Sequence, residues 1–109
     1  MIRILLDECL PVKLMYRFQE YEQNFEVSTV TAEKWTGIKN GILLDKAQET
    51  FDVFVTIDQN LSYQQDLSNF DIAIVAIQAK SNRYKDLLKF VEPASKIIKN
   101  TEAKKFYTV

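Results

Sequence analysis

Apolar positions along this chain come in two kinds, short continuous runs and helically spaced sets, and the two alternate. Ile2 to Leu6 is the first run and stops at Asp7-Glu8; Val27 to Val30, Val53 to Thr56 and Ile72 to Ile77 follow, and Lys105 to Val109 closes the series. Short continuous apolar runs predict strands buried on both faces. Between them, Leu10, Leu14 and Phe18 recur on one helical face with Met15 beside them, Arg17, Gln19 and Glu20 face outward, and Pro11 suits the first turn. Leu43, Leu44, Ala47 and Phe51 predict a second helix, with Asn40 as its N-cap and a loop from Thr31 to Lys39, carrying Trp35 and Gly37, before it.

Leu61 to Leu67 predicts a short helix. Ser81-Asn82-Arg83 opens another, Ser81 as its cap, with Tyr84, Leu87, Leu88 and Val91 on one face; Pro93 breaks or restarts it before Ala94 to Asn100, where Ile97 and Ile98 face inward. The resulting β-α alternation predicts a single α/β domain over residues 1–109, with helices on both faces of a mostly parallel sheet of about five strands. Strands one, three and four are the most apolar and are expected at its centre, whereas Lys104 and Lys105 mark the last strand as an edge.

Composition narrows the chemistry. The chain has no histidine and one cysteine, Cys9. Zinc sites of the usual Cys/His kind, Ser-His-Asp or Cys-His relays and an internal disulfide are therefore excluded. Hydrolysis would have to run on carboxylates, amides, hydroxyls, lysines or a hard metal. A net charge of −1 does not suit a protein that coats duplex nucleic acid, because such binding is driven by Lys and Arg displacing counterions. The first apolar run is too short for a signal peptide and no span approaches membrane length, so no membrane association and a cytoplasmic location are expected.

In open α/β sheets the functional crevice lies beyond the carboxyl ends of the strands. Asp7-Glu8, Asp58 and the stretch from Gln78 to Arg83 all fall there. Two carboxylates about 4 Å apart repel by roughly 4 kcal/mol at an effective dielectric near 20, a cost that a hard divalent cation offsets. Each residue also has a plainer reading. Asp7 can cap the following helix, Asp58 can close an Asx-turn on Asn60, Gln64 and Gln65 can form a polar helix face, and Arg83 can be a surface charge. Cys9 reads as a small apolar residue with nothing to lower its pKa, and Trp35 as a packing lid over the second helix.

Four blocks, "ILLDECLP", "WTGIKNGILLDKA", "FDVFVTIDQNLSYQQDL" and "IVAIQAKSNR", together resemble the small stand-alone PIN-like proteins, from Ile2 to about Val91. The resemblance implies a three-layer α/β/α PIN-like domain and an endoribonuclease-type site that uses Mg²⁺ or Mn²⁺ on RNA. Many such proteins are the proposed toxin of a toxin–antitoxin pair, with a small antitoxin as partner. Carried over by position, Asp7 and Asp58 match acids of the family's metal site, and Asn40 and Asn60 stand where relatives commonly carry further acids. On this reading Asp7 and Asp58 would hold the metal, Glu8 or Asn40 would assist, and the amides of Asn40 and Asn60 can serve as neutral oxygen ligands. Asn60, Gln64, Gln65, Ser81, Asn82 and Arg83 would line the substrate groove. The two amides weaken the metal site, which raises a rival reading, a catalytically silent binding module on the same fold. A third, the phospho-receiver, fits "LLDE" and "TID" but lacks a hydroxyl residue where strand four ends, at Ala76-Ile77-Gln78. Dimerisation is left open.

Overall fold

The computed structural model describes residues 1–58, 61 and 66–109. Five strands form one sheet: β1 (Ile2–Leu6), β2 (Phe25–Thr29), β3 (Val53–Thr56), β4 (Ala73–Ala76) and β5 (Phe106–Thr108). Every pairing is parallel, in the spatial order β2-β1-β3-β4-β5. The most apolar strands do lie at the centre. All residues of β3 and β4 are buried, as are Ile4, Leu5 and Leu6 of β1, because each of these strands is covered on both faces.

The α-helices among the described residues are α1 (Leu14–Tyr21), α2 (Asn40–Ala47), α3 (Tyr84–Leu87) and α4 (Val91–Ile98). Leu14 and Phe18 of α1, Leu87 of α3 and Val91, Ala94 and Ile98 of α4 cover one face of the sheet, meeting Ile4, Leu6, Val53, Val55 and Val75. Leu43, Leu44 and Ala47 of α2, joined by Phe51 and Leu61, cover the other face and meet Leu5, Phe54 and Ile74. The three layers follow from the period-2 alternation of strand side chains, which sends Leu5 and its two neighbours to opposite faces. Among the described residues, no helix is long and apolar enough to cross a membrane.

Local boundaries differ from the sequence expectation in several places. Strand β2 begins at Phe25 and ends at Thr29, because its register on β1 pairs Ile2 with Phe25 and Leu6 with Thr29. As an edge strand it alternates buried and exposed positions, so the run from Val27 to Val30 marked only part of it. Asn40 is the first residue of α2 rather than its cap. The cap is Lys39, whose side chain makes no capping bond, and Phe51 lies beyond the helix, its N–H on the Ala47 carbonyl. Pro11 precedes α1, in turns that bond Leu14 N–H to Pro11 O and Met15 N–H to Val12 O. Pro93 restarts a helix and does not break one. A 3-10 turn over Leu88–Phe90 ends the first segment, and Pro93 then sits in the first turn of α4, where its missing N–H has no partner to lose. Most of the helix expected over Leu61 to Leu67 falls outside the described residues; Leu67–Asn69 is a 3-10 turn.

Candidate functional site

The strand order turns back between β1 and β3. This is the switch point at which open α/β sheets bind ligands, beyond the carboxyl ends of the strands. Residue 7 follows β1 and residue 58 follows β3, so the pairing of Leu6 with Val55 carries both acids to the mouth of that crevice. The Asp7 N–H continues the ladder onto the Val55 carbonyl at 2.9 Å.

Thr56, the last residue of β3, links the Asp7 carboxylate to the Asp58 backbone. Its fully buried hydroxyl donates to Asp7 Oδ2 at 2.7 Å and accepts the Asp58 N–H at 3.0 Å. Asp7 Oδ2 also takes a weak bond from the Cys9 thiol at 3.4 Å, and Asp7 Oδ1 accepts the Glu8 N–H at 2.8 Å. Among the described residues, every hydrogen-bond partner of Asp7 is thus a neutral donor. The ion pairs of the described residues, such as Arg3–Glu26 and Lys99–Glu22, leave Asp7 out. The Asp7 side chain sits at the mouth of the crevice.

Cys9 lies at 3.9 Å from Thr56 Oγ1, half-buried in the same network. Burial, reinforced by the negative Asp7 beside it, pushes its thiol up to about 11, although a backbone bond at Ile57 and the Thr56 hydroxyl act the other way. It stays protonated at neutral pH and serves as a donor to Asp7 rather than as a nucleophile.

Glu8 Oε1 accepts the Gly37 N–H at 3.2 Å, which ties the loop before α2 to the end of β1. Gly37 adopts φ +83°, a left-handed conformation that favours glycine. Trp35, in the same loop, packs edge-on against Phe51 with ring centroids 6.2 Å apart, and so covers the α2 side of the core. From the β4 side, Asn82 Nδ2 donates to the Cys9 carbonyl at 3.2 Å and draws that loop to the end of β1. Ser81 is not the helix cap. Its hydroxyl accepts the Arg83 N–H and donates to Asp86 Oδ2 at 2.5 Å, a bond that holds the Asp86 carboxyl below its ordinary range. Arg83 itself caps α3 and is exposed. Asn60, Gln64 and Gln65, expected in the groove, lie outside the described residues.

The donor set decides what the crevice can hold. Hard oxygen ligands suit Mg²⁺ or Mn²⁺, and Mg²⁺ is usually bound through one or two carboxylates while keeping several waters. Asp7 Oδ1 carries one hydrogen bond and retains a lone pair for a cation. Among the described residues no three Cys, Asp or Glu side chains gather closely enough to hold an ion. By number and type, two carboxylates would suit at most one such ion together with its waters. Three surface hollows of about 270 to 350 Å³ lie elsewhere, against α1 and α4, the N-terminal end of β1 and the β2 edge. None of these three is lined by Asp7, Glu8 or Asp58.

Thr56 is the residue that the sequence reading missed. Its signal was a hydroxyl ending an otherwise aliphatic and aromatic strand, two positions before an acid. Compared with known proteins, the chain matches no family model, no curated protein and no solved structure.

Proposed function

We propose that the chain is a metal-dependent endoribonuclease-like protein of the PIN-like kind, in which Asp7 and Asp58 hold a single Mg²⁺ or Mn²⁺. The observation that carries the reading is the Asp7 carboxylate: it stands at the switch point of the sheet, it is oriented by neutral donors on both oxygens, and among the described residues it forms no ion pair. The four sequence blocks that resemble PIN-like proteins add the substrate class. When bound, the ion would supply charge stabilisation at a phosphodiester and a water of lowered pKa.

The chain's own residues do the positioning. Thr56 and the Glu8 N–H fix the Asp7 carboxylate, the Thr56 hydroxyl fixes the backbone at Asp58, and Glu8 and Asn82 draw the loops before α2 and α3 to the end of β1. Asn82 and Arg83 then border the crevice from the β4 side, where a polymer backbone would lie. As a toxin, the protein would be silenced by a small antitoxin covering this same crevice.

The rival silent module draws support from the small number of acids, since the described residues gather no third carboxylate. The phospho-receiver shares the observed strand order, but β4 ends at Ala76 with no hydroxyl beside Asp58 from that strand. Two measurements separate the first two readings: calorimetric titration with Mn²⁺ of the wild type and Asp7→Asn, and cleavage of single-stranded RNA with Mn²⁺ or with chelator. The nuclease reading expects millimolar or tighter binding that weakens at least about tenfold in Asp7→Asn, with cleavage only in the presence of metal. Binding without cleavage favours the silent module. No binding at millimolar Mn²⁺ overturns the metal site.

A further inference from the structure

We propose that Thr56 is the positioning residue of this site, acting through Asp7 and Asp58 and not on substrate. The inference rests on the one-ion reading above. One hydroxyl does two jobs. As a donor it commits Asp7 Oδ2 at 2.7 Å, which leaves Oδ1, with a single bond from Glu8, as the oxygen for an ion. As an acceptor it takes the Asp58 N–H at 3.0 Å, which sets the chain direction where the second acid leaves β3. Both bonds start from an atom that cannot drift, because Thr56 is fully buried within a strand paired on both sides, to β1 and to β4.

Carboxylates that bind metals are themselves held by hydrogen bonds from outside the coordination sphere, and loss of such a partner costs about 10–100-fold in metal affinity. A purely structural Thr56 would act instead through its methyl group. The two roles predict opposite rankings for two substitutions. Thr56→Val keeps the β-branched shape and removes the hydroxyl; Thr56→Ser keeps the hydroxyl and removes the methyl.

The test is Mn²⁺ titration of wild type, Thr56→Val and Thr56→Ser, each verified as folded by far-UV circular dichroism and thermal unfolding. Thr56→Val is expected to bind about 10–100-fold more weakly, and Thr56→Ser to stay within about threefold of wild type. Wild-type binding with Thr56→Val unchanged, or with Thr56→Ser the weaker of the two, overturns the positioning role and leaves the metal site standing. A wild type that does not bind Mn²⁺ at all overturns both. Should Thr56→Val fail to fold, Thr56→Ala beside Thr56→Ser gives the same ranking, because both lack the methyl and only one keeps the hydroxyl.

Discussion

The fully buried Ser95 on α4 offers the sharpest test of the packing. Its hydroxyl oxygen has no hydrogen-bond partner among the described residues and belongs to a helix face made otherwise of Val91, Ala94 and Ile98. A buried, unsatisfied polar group costs about 1–3 kcal/mol, so Ser95→Ala should recover part of that. Alanine adds up to about 0.5 kcal/mol of helix propensity over serine. Against these gains stands the void left by one oxygen atom, smaller than a methylene and so worth less than about 0.8 kcal/mol. The net expectation is stabilisation of about 1 kcal/mol, read in urea unfolding as a raised midpoint with an unchanged m-value. The mirror substitution is Ala94→Ser, at an adjacent position that is equally buried. It introduces the same orphan group and should lose a comparable amount. Destabilisation of Ser95→Ala by more than about 0.5 kcal/mol would refute the argument, for it would mean that the hydroxyl is bonded, most simply back to a carbonyl one turn earlier in its own helix.

Two further outcomes follow from the crevice. Cys9, with its thiol at about 11 in the folded chain against roughly 8.5 in an unfolded one, binds its proton more tightly when folded. Its contribution to stability is therefore full below about pH 8.5 and is lost as pH rises toward 11. Alkylation rates measured against pH should show a midpoint far above 8.5, lowered in Asp7→Asn, and a midpoint near the unperturbed value would refute the burial argument. Glu8→Ala removes the acceptor of the Gly37 N–H. Amide exchange at Gly37 should accelerate severalfold, since an exposed hydrogen bond contributes about 0.5–1.5 kcal/mol; unchanged exchange would show that the loop is held by Trp35 packing instead.

Much of the fold was legible because parallel strands covered on both faces are apolar throughout. Val53–Thr56 and the run around Ala73–Ala76 could be placed, and placed centrally, from composition alone. The edge strand β2 was harder to bound. Half of it faces away from the core, so Glu26 interrupts the apolar signal while the backbone is still paired. Caps were misread at Asn40 and Ser81 because the capping position is set by where helical backbone begins, which neither residue type nor spacing fixes. Ser81 found its partner in Asp86.

In the site, the placing of acids after β1 and β3 was visible, but the bond that couples them was not. Thr56 lies 49 residues from Asp7 in the chain, and no local pattern marks such a pair. The sequence by itself determined which segments are strands, which faces of the helices are apolar, and that histidine chemistry and an internal disulfide are excluded. Only the tertiary structure decided that β3 lies beside β1, in the register that sets Leu6 against Val55. Periodicity reports burial, a property of each segment alone, whereas adjacency and register are properties of pairs of segments. They are set by the joint packing of α1, α3 and α4 on one face and α2 on the other, and it is that register which puts one hydroxyl between the backbone of one acid and the carboxylate of the other.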